Sequence, residues 1–193
     1  MQNQPQLVLY LRGPEGLAQL DIVLPTFDKF RGESRIVLYT DQDISCCSIS
    51  RFIDEFRVLS PTANPHGFIE FGGVEFARMS QEKIWVIKDA CERARYWIIY
   101  FDTDIVVLRP FFSEVQGFMR QGHVLVSGRG SSLFPRAYCT GIVAVNCTPE
   151  AKRIATEWLD HHVRRLLTIA PFMMKRPSTT SWQSAPILNH RWT

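Results

Sequence analysis

The sequence predicts an α/β domain built on a central, mostly parallel sheet flanked by helices, and three observations carry that prediction. Short apolar runs of strand character alternate with longer stretches of helical period through the first hundred residues. Strand, helix, strand, helix, strand is the pattern of a parallel sheet with right-handed crossovers. One of the runs, Trp97-Ile98-Ile99-Tyr100-Phe101, is apolar enough to be buried on both faces, yet it ends on Asp102-Thr103-Asp104.

In chain order, Leu7-Val8-Leu9-Tyr10-Leu11 reads as the first strand. It is ended by Arg12-Gly13-Pro14, a turn whose glycine lets backbone approach a ligand. Residues 15–30 carry Leu17, Leu20, Val23, Leu24 and Phe27 at helical spacing, with Pro25 expected to break or end a helix there. Arg35-Ile36-Val37-Leu38-Tyr39-Thr40-Asp41 is the second strand, and Asp41 its first polar exit. Residues 48–56 read as a short helix with Ile49, Phe52, Ile53 and Phe56 inward, followed by a brief strand at Arg57-Val58-Leu59. Residues 61–73 form a loop, whose Phe68, Ile69 and Phe71 are expected to pack beneath it.

Ser80 is the expected N-cap of a helix running to about Arg95, with Ile84, Ile87, Cys91 and Ala94 on its buried stripe. That start would place Lys83 in the first turn, where free amides and a lysine together favour an anion, and Arg78 just ahead of it. An ordinary surface role fits both residues equally well on local grounds. After Pro110, the spacing of Phe111, Phe112, Val115, Phe118 and Met119 suggests a helix, and His123-Val124-Leu125-Val126-Ser127 a strand. Residues 128–136 form a basic loop suited to covering a substrate or to joining two strands. Tyr138-Cys139-Thr140-Gly141 reads as a polar turn entering a buried strand that ends at Asn146. Thr148-Pro149-Glu150 opens a long helix with proline at its first position.

At 193 residues the chain is long enough for one α/β domain and short for two, so a single domain over residues 1–193 is expected. Its 46% hydrophobic and 21% charged residues exclude large-scale disorder. A net charge of +3 without a dense Lys/Arg block gives no nucleic-acid footprint. No apolar run approaches the length of a membrane span, and the N-terminus shows no signal peptide, so a cytoplasmic location is expected. Five cysteines without a C-x-x-C pair look like buried thiols of a reducing compartment. The sequon Asn146-Cys147-Thr148 closes an apolar strand and is read as accidental.

The acid pair is the feature with chemistry in it. A carboxylate is costly to desolvate unless it is paired or binds a metal, so Asp102 and Asp104 should lie where the strand emerges into a crevice, with a cation nearby. In a regular strand they would point to opposite sides; a turn at this point would bring both to one region. Hard oxygen ligands suit Mn²⁺ or Mg²⁺, which take one or two carboxylates together with phosphate oxygens and water. A metal diphosphate is therefore the natural guest. An Asp-x-Asp also arises by chance in turns, but here apolar runs on both sides leave it no ordinary surface loop.

With these residues in place, the chain resembles the nucleotide-diphospho-sugar glycosyltransferases of the GT-A fold, a Rossmann-like architecture marked by Asp-x-Asp after a buried strand. The likeness spans the helix at Ser80, the strand into Asp102-Thr103-Asp104, Tyr138 through Asn146, and the helix with Trp158, about residues 78–160. The resemblance implies that Asp104 ligates a divalent metal, that Asp102 ligates it or holds the ribose, and that the metal bridges the donor diphosphate. It also implies a nucleotide-binding set of Tyr10, Arg12, Asp41, Arg78, Lys83, Asp102, Thr103, Thr140 and Gly141. Gln183, near the anomeric carbon, would join Asp102 and Asp104 as a catalytic residue, with Asn189 from the same motif. Trp182 stands where the family carries an acid, and His190 is the residue available as a third metal ligand. Relatives often supply that histidine from beyond the motif. Either this sequence is part of a longer protein, or diphosphate oxygens and water complete the metal.

The implied activity is metal-dependent transfer of a sugar from a UDP- or GDP-sugar to a glycan or other hydroxyl acceptor, with retention favoured over inversion. Two other classes stay open: a nucleotide-sugar or glycan-binding module of the same fold without turnover, and a metal-dependent nucleotidyltransferase. The latter normally carries a glycine-rich basic loop after its first strand, for which Arg12-Gly13-Pro14-Glu15-Gly16 is a poor substitute.

Overall fold

The computed structural model describes residues 5–60, 74–119, 124–128 and 138–173. Six strands form one sheet: β1 (Gln6–Leu11), β2 (Arg35–Thr40), β3 (Glu55–Val58), β4 (Trp97–Phe101), β5 (Val124–Gly128) and β6 (Tyr138–Asn146), in the order β3-β2-β1-β4-β6-β5. The pairings β3-β2, β2-β1 and β1-β4 are parallel, and β6 runs antiparallel to both β4 and β5. The helices are α1 (Glu15–Phe30), α2 (Val74–Arg93), α3 (Phe112–Met119) and α4 (Pro149–Met173).

The pleat of the sheet sorts side chains into two cores. Leu7, Leu9 and Leu11, with Ile36, Leu38, Ile99 and Phe101, pack with Leu20, Leu24 and Phe27 of α1 and Met119 of α3. Val8, Tyr10, Val37, Tyr39, Ile98 and Tyr100 pack with Ile87, Ala90 and Cys91 of α2 and Ala151 of α4. Strands so fully apolar need both faces covered, which is why the domain has three layers.

Several local expectations are corrected. The first helix runs through Pro25 without ending; Pro25 lies on the exposed face, where a carbonyl left without its amide partner is accessible to solvent. Residues 48–56 are not an α-helix: a 3₁₀ turn covers Ser48–Phe52, the strand begins at Glu55, and Phe56 is 41% exposed on the sheet's edge. Ser80 is not a cap but lies inside α2, donating its hydroxyl to the Phe76 carbonyl at 2.9 Å. The residues before it, Glu75, Ala77, Arg78 and Met79, are good helix formers, so α2 starts six residues earlier. Tyr138 through Gly141 are not a turn but the first residues of β6. Thr148 does cap α4, its hydroxyl accepting the Ala151 amide at 3.2 Å. Cys46 is exposed rather than buried, whereas Cys91 is buried as expected. The loop with Phe68, Ile69 and Phe71, the basic loop and the C-terminal tail fall outside the described residues.

Candidate active site at the carboxyl ends of β1 and β4

The chain leaves β1 towards β2 and β3 on one side, then returns to lay β4 on the other side of β1. That reversal opens a crevice beyond the carboxyl ends of β1 and β4, the place where open α/β sheets take their ligands. Arg12 follows β1 and Asp102 follows β4, so both stand at this crevice.

Asp102 is held from three directions. Its backbone amide donates to the Gly141 carbonyl of β6 at 2.8 Å. One carboxylate oxygen, Oδ1, accepts the Lys83 ammonium at 2.7 Å and the Tyr100 hydroxyl at 2.9 Å. Lys83 also lies 5.0 Å from the centre of the Tyr100 ring. Immediately afterwards the Ile105 amide donates to the Asp102 carbonyl at 3.2 Å, closing a tight turn over Thr103 and Asp104. The turn removes the strand alternation that would have parted the two acids. Asp104 is exposed, and its charge together with that of Asp102 helps to hold the Tyr100 phenol in its protonated form. Burial is the larger cause of that raised pKa.

The segment beyond the acids is tied to α1. The Thr103 hydroxyl donates to Gln19 at 3.3 Å, and the Val107 amide to the Thr26 hydroxyl at 3.1 Å. Ile105 through Leu108 therefore continue no strand: Val107 is buried, while Leu108 is 84% exposed.

A second network lines the β1 side. Arg12 donates through Nε to Glu82 at 2.8 Å, caps the Ser60 carbonyl, and faces Asp41 at 3.4 Å. The Tyr10 hydroxyl donates to the same Glu82 oxygen at 2.5 Å. Burial first, and then the Glu82 carboxylate, raise the Tyr10 pKa well above the ordinary phenol value. Asp41 is nearly inaccessible, with its side chain 3% exposed. Burial by itself would raise its pKa, but the Gln42 amide at 2.9 Å, the Gly13 amide at 3.1 Å and Arg12 together hold it below the usual carboxylate range. Gly13 has φ +74°, the left-handed region that suits glycine, and this points its amide at Asp41.

The structure thus brings Tyr10, Arg12, Asp41, Lys83, Asp102, Thr103, Asp104 and Gly141 to one end of the sheet. Arg78 lies four residues before Glu82, on the same side of α2. Because α2 begins at Val74, Lys83 is in its third turn, and the expectation of an anion held by free amides around it is corrected. Thr140 lies on β6 beside Gly141, where the β5 register breaks: Val126 pairs with Val143 but Ser127 with Cys139. Gln183, Asn189 and His190 fall outside the described residues.

Glu82, Gln42 and Tyr100 were not anticipated from sequence. For Glu82 and Tyr100 the signal was the polar tip of a tyrosine in a strand otherwise too apolar to leave it alone, and for Gln42, which donates to Asp41, there was none. Tyr10, Tyr39 and Tyr100 all share the α2 face of the sheet, and Tyr39 finds Asp89 at 2.8 Å just as Tyr10 finds Glu82.

Among the described residues, no three His, Cys, Asp or Glu side chains converge to hold a metal. Two carboxylates beside one crevice fit Mg²⁺ or Mn²⁺ completed by diphosphate and water, and both donors to Asp102 use Oδ1.

This architecture, a parallel half joined to an antiparallel β6, has counterparts among solved structures. The apo form of mouse xyloside xylosyltransferase 1 superimposes with a TM-score of 0.51 at 11% identity, over 89% of this chain and 76% of that one. The fold is of the GT-A glycosyltransferase type. The glycosyltransferase GlyE of Streptococcus pneumoniae TIGR4 matches with a TM-score of 0.54 at 13% identity, over 91% of this chain but only 41% of its own length. No protein-family model matches the sequence, and no curated protein matches it significantly. Within the GT-A frame, the acid turn after β4 and the Arg12 network after β1 flank the crevice at the topological switch. No helix among the described residues is long and apolar enough to cross a membrane.

Proposed function

We propose that the chain is a metal-dependent glycosyltransferase that moves a sugar from a UDP- or GDP-sugar to a hydroxyl of a glycan acceptor. The observation that carries this reading is the turn at Asp102-Thr103-Asp104, set at the switch point of a glycosyltransferase fold with Lys83 2.7 Å from Asp102.

Asp104 and the second oxygen of Asp102 would hold Mn²⁺ or Mg²⁺, which when bound neutralises charge on the donor diphosphate. The chain's own groups do the rest. As the bond between the anomeric carbon and the diphosphate oxygen breaks, negative charge grows on the leaving group and positive charge on the sugar ring. In this reading the ammonium of Lys83, 2.7 Å from Asp102, would face that leaving group, and Arg12 and Arg78 would add positive potential on its flank. The acceptor hydroxyl attacks the anomeric carbon and its proton leaves with the diphosphate or to solvent. Juxtaposition of the two substrates supplies much of the remaining rate. Retention is favoured: of the carboxylates described beside the site, Asp41 is a poor base while Gln42, Gly13 and Arg12 hold its pKa down, and Glu82 already accepts from Arg12 and Tyr10. Gln183 and His190 remain proposed contributors from the tail, at the anomeric carbon and the metal respectively, and Thr103, Thr140 and Gly141 remain proposed donor contacts.

The test is incubation with a panel of nucleotide sugars and Mn²⁺, following nucleoside diphosphate release with and without sugar acceptors. Slow hydrolysis of one donor, abolished by chelation, supports the transferase. Tight binding with no release would point to a non-catalytic module, and turnover of nucleoside triphosphates to a nucleotidyltransferase.

A further inference from the structure

A cavity of about 310 Å³ opens at the other end of the sheet, between the start of β4, the end of β6 and α3. Its walls include Tyr96, Trp97, Gln116, Asn146 and Thr148, with Arg95 at the side. A smaller cavity of about 190 Å³ shares Arg95, Tyr96 and Trp97, so this ridge separates two hollows. From Trp97 to Asp102 the chain advances five residues, about 16 Å at strand rise, which sets the cavity apart from the acid turn.

Trp97 and Asn146 are directly opposed across the β4-β6 ladder, so their side chains share one face and an amide stands beside the indole. Gln116 of α3 brings a second amide to the same space. Both are only partly exposed, and among the described residues neither side-chain amide has a hydrogen-bond partner in the protein. Water-exposed amides that no protein group engages can exchange their bonds to water for bonds to a ligand's hydroxyls. No carboxylate lines the cavity among the described residues, and its one charged group there, Arg95, lies with its guanidinium 5.2 Å from the centre of the Tyr96 ring. A cationic ligand would lack a counter-charge, and a single guanidinium turned over a ring makes a poor phosphate site.

We propose that this cavity is a binding subsite for a neutral saccharide unit, remote from the acid turn. A pyranose presents C–H faces that suit an aromatic wall and vicinal hydroxyls that pair with two neutral amides, each able to donate and accept at once. The volume lies at the lower end of small-molecule pockets and suits one or two sugar rings. The subsite stands on its own chemistry and does not require the transfer reading above.

The experiment titrates ¹⁵N-labelled protein with the methyl glycosides of glucose, galactose, xylose and N-acetylglucosamine, following the Trp97 indole resonance, which is assigned by its loss in Trp97→Phe. At least one glycoside should shift that resonance saturably. Its Kd should rise tenfold or more in the Gln116→Ala/Asn146→Ala double variant, and severalfold in Gln116→Ala alone should the double variant not fold. Asp104→Ala should leave it unchanged. Three results would each overturn the proposal: no saturable shift with any of the four at 50 mM, unaltered affinity in the amide variants, or an equal shift with glycerol at the same concentration.

Discussion

The Lys83 ammonium of α2 and the Asp102 carboxylate after β4 form a hydrogen-bonded ion pair at 2.7 Å, with side chains 14% and 37% exposed. The pair joins the helix to the strand end at the crevice, so it serves fold and site together. Its exposure limits what it adds to stability, roughly 1 kcal/mol or less for a solvent-screened pair. Lys83→Met should therefore fold, with a small fall in Tm by calorimetry. Donor turnover should fall at least tenfold, with the loss in kcat rather than KM. A variant with full kcat would remove Lys83 from the leaving group.

Asp104 is exposed, and its side chain is no part of the core. Asp104→Ala should leave thermal unfolding within about 0.5 kcal/mol of the parent, the usual range for surface changes. Calorimetric titration of UDP and GDP in the presence of Mn²⁺ should show binding lost in this variant. Unchanged affinity would count heavily against the acid turn as the donor site.

Asp41 has its pKa lowered by Gln42, Gly13 and Arg12 against the opposing effect of burial. A carboxylate with a depressed native pKa stabilises the fold above its unfolded value, 3.8, and that contribution disappears as pH falls through the lower native value. Urea unfolding should find Asp41→Asn less stable than the parent at pH 7. The gap should narrow once the pH drops below about 3.8. A gap of constant size down to pH 2 would show that charge on Asp41 is not what stabilises.

Tyr10, Tyr39 and Tyr100 all have raised pKa values, with burial the first cause and the carboxylates of Glu82, Asp89 and Asp102 adding to it. A phenol held protonated in the native state stabilises fully below its unfolded pKa of 10, and the effect fades as pH rises from there towards the native value. Ultraviolet titration should show these three ionising only together with alkaline unfolding. Smooth ionisation of all tyrosines near pH 10 in folded protein would contradict the buried network.

Gly13 turns its amide towards Asp41 with φ +74°, a conformation costly for other residues. Gly13→Ala should cost on the order of 1–3 kcal/mol in chemical unfolding. Nucleotide affinity should fall with it if the Arg12 corner touches the donor.

The sequence by itself determined the central strands and the exit of one of them at Asp102, and left open whether a turn there brings Asp104 to the same side. The runs at Leu7, Ile36 and Trp97 had no polar alternation, so both faces had to be covered, and that is a local property of the residues themselves. The same reasoning put Asp102 at a strand exit, since a carboxylate does not stay inside such a run. Local pattern misjudged Pro25 and Ser80, where a helix goes on because its exposed face tolerates a missing or diverted backbone bond. Only the tertiary structure decided which charges meet. Arg12 with Glu82, seventy residues apart, and Lys83 with Asp102 depend on β4 lying beside β1 and on α2 crossing over both. No propensity or spacing encodes that adjacency, because strand order follows from how the whole chain buries its two apolar faces.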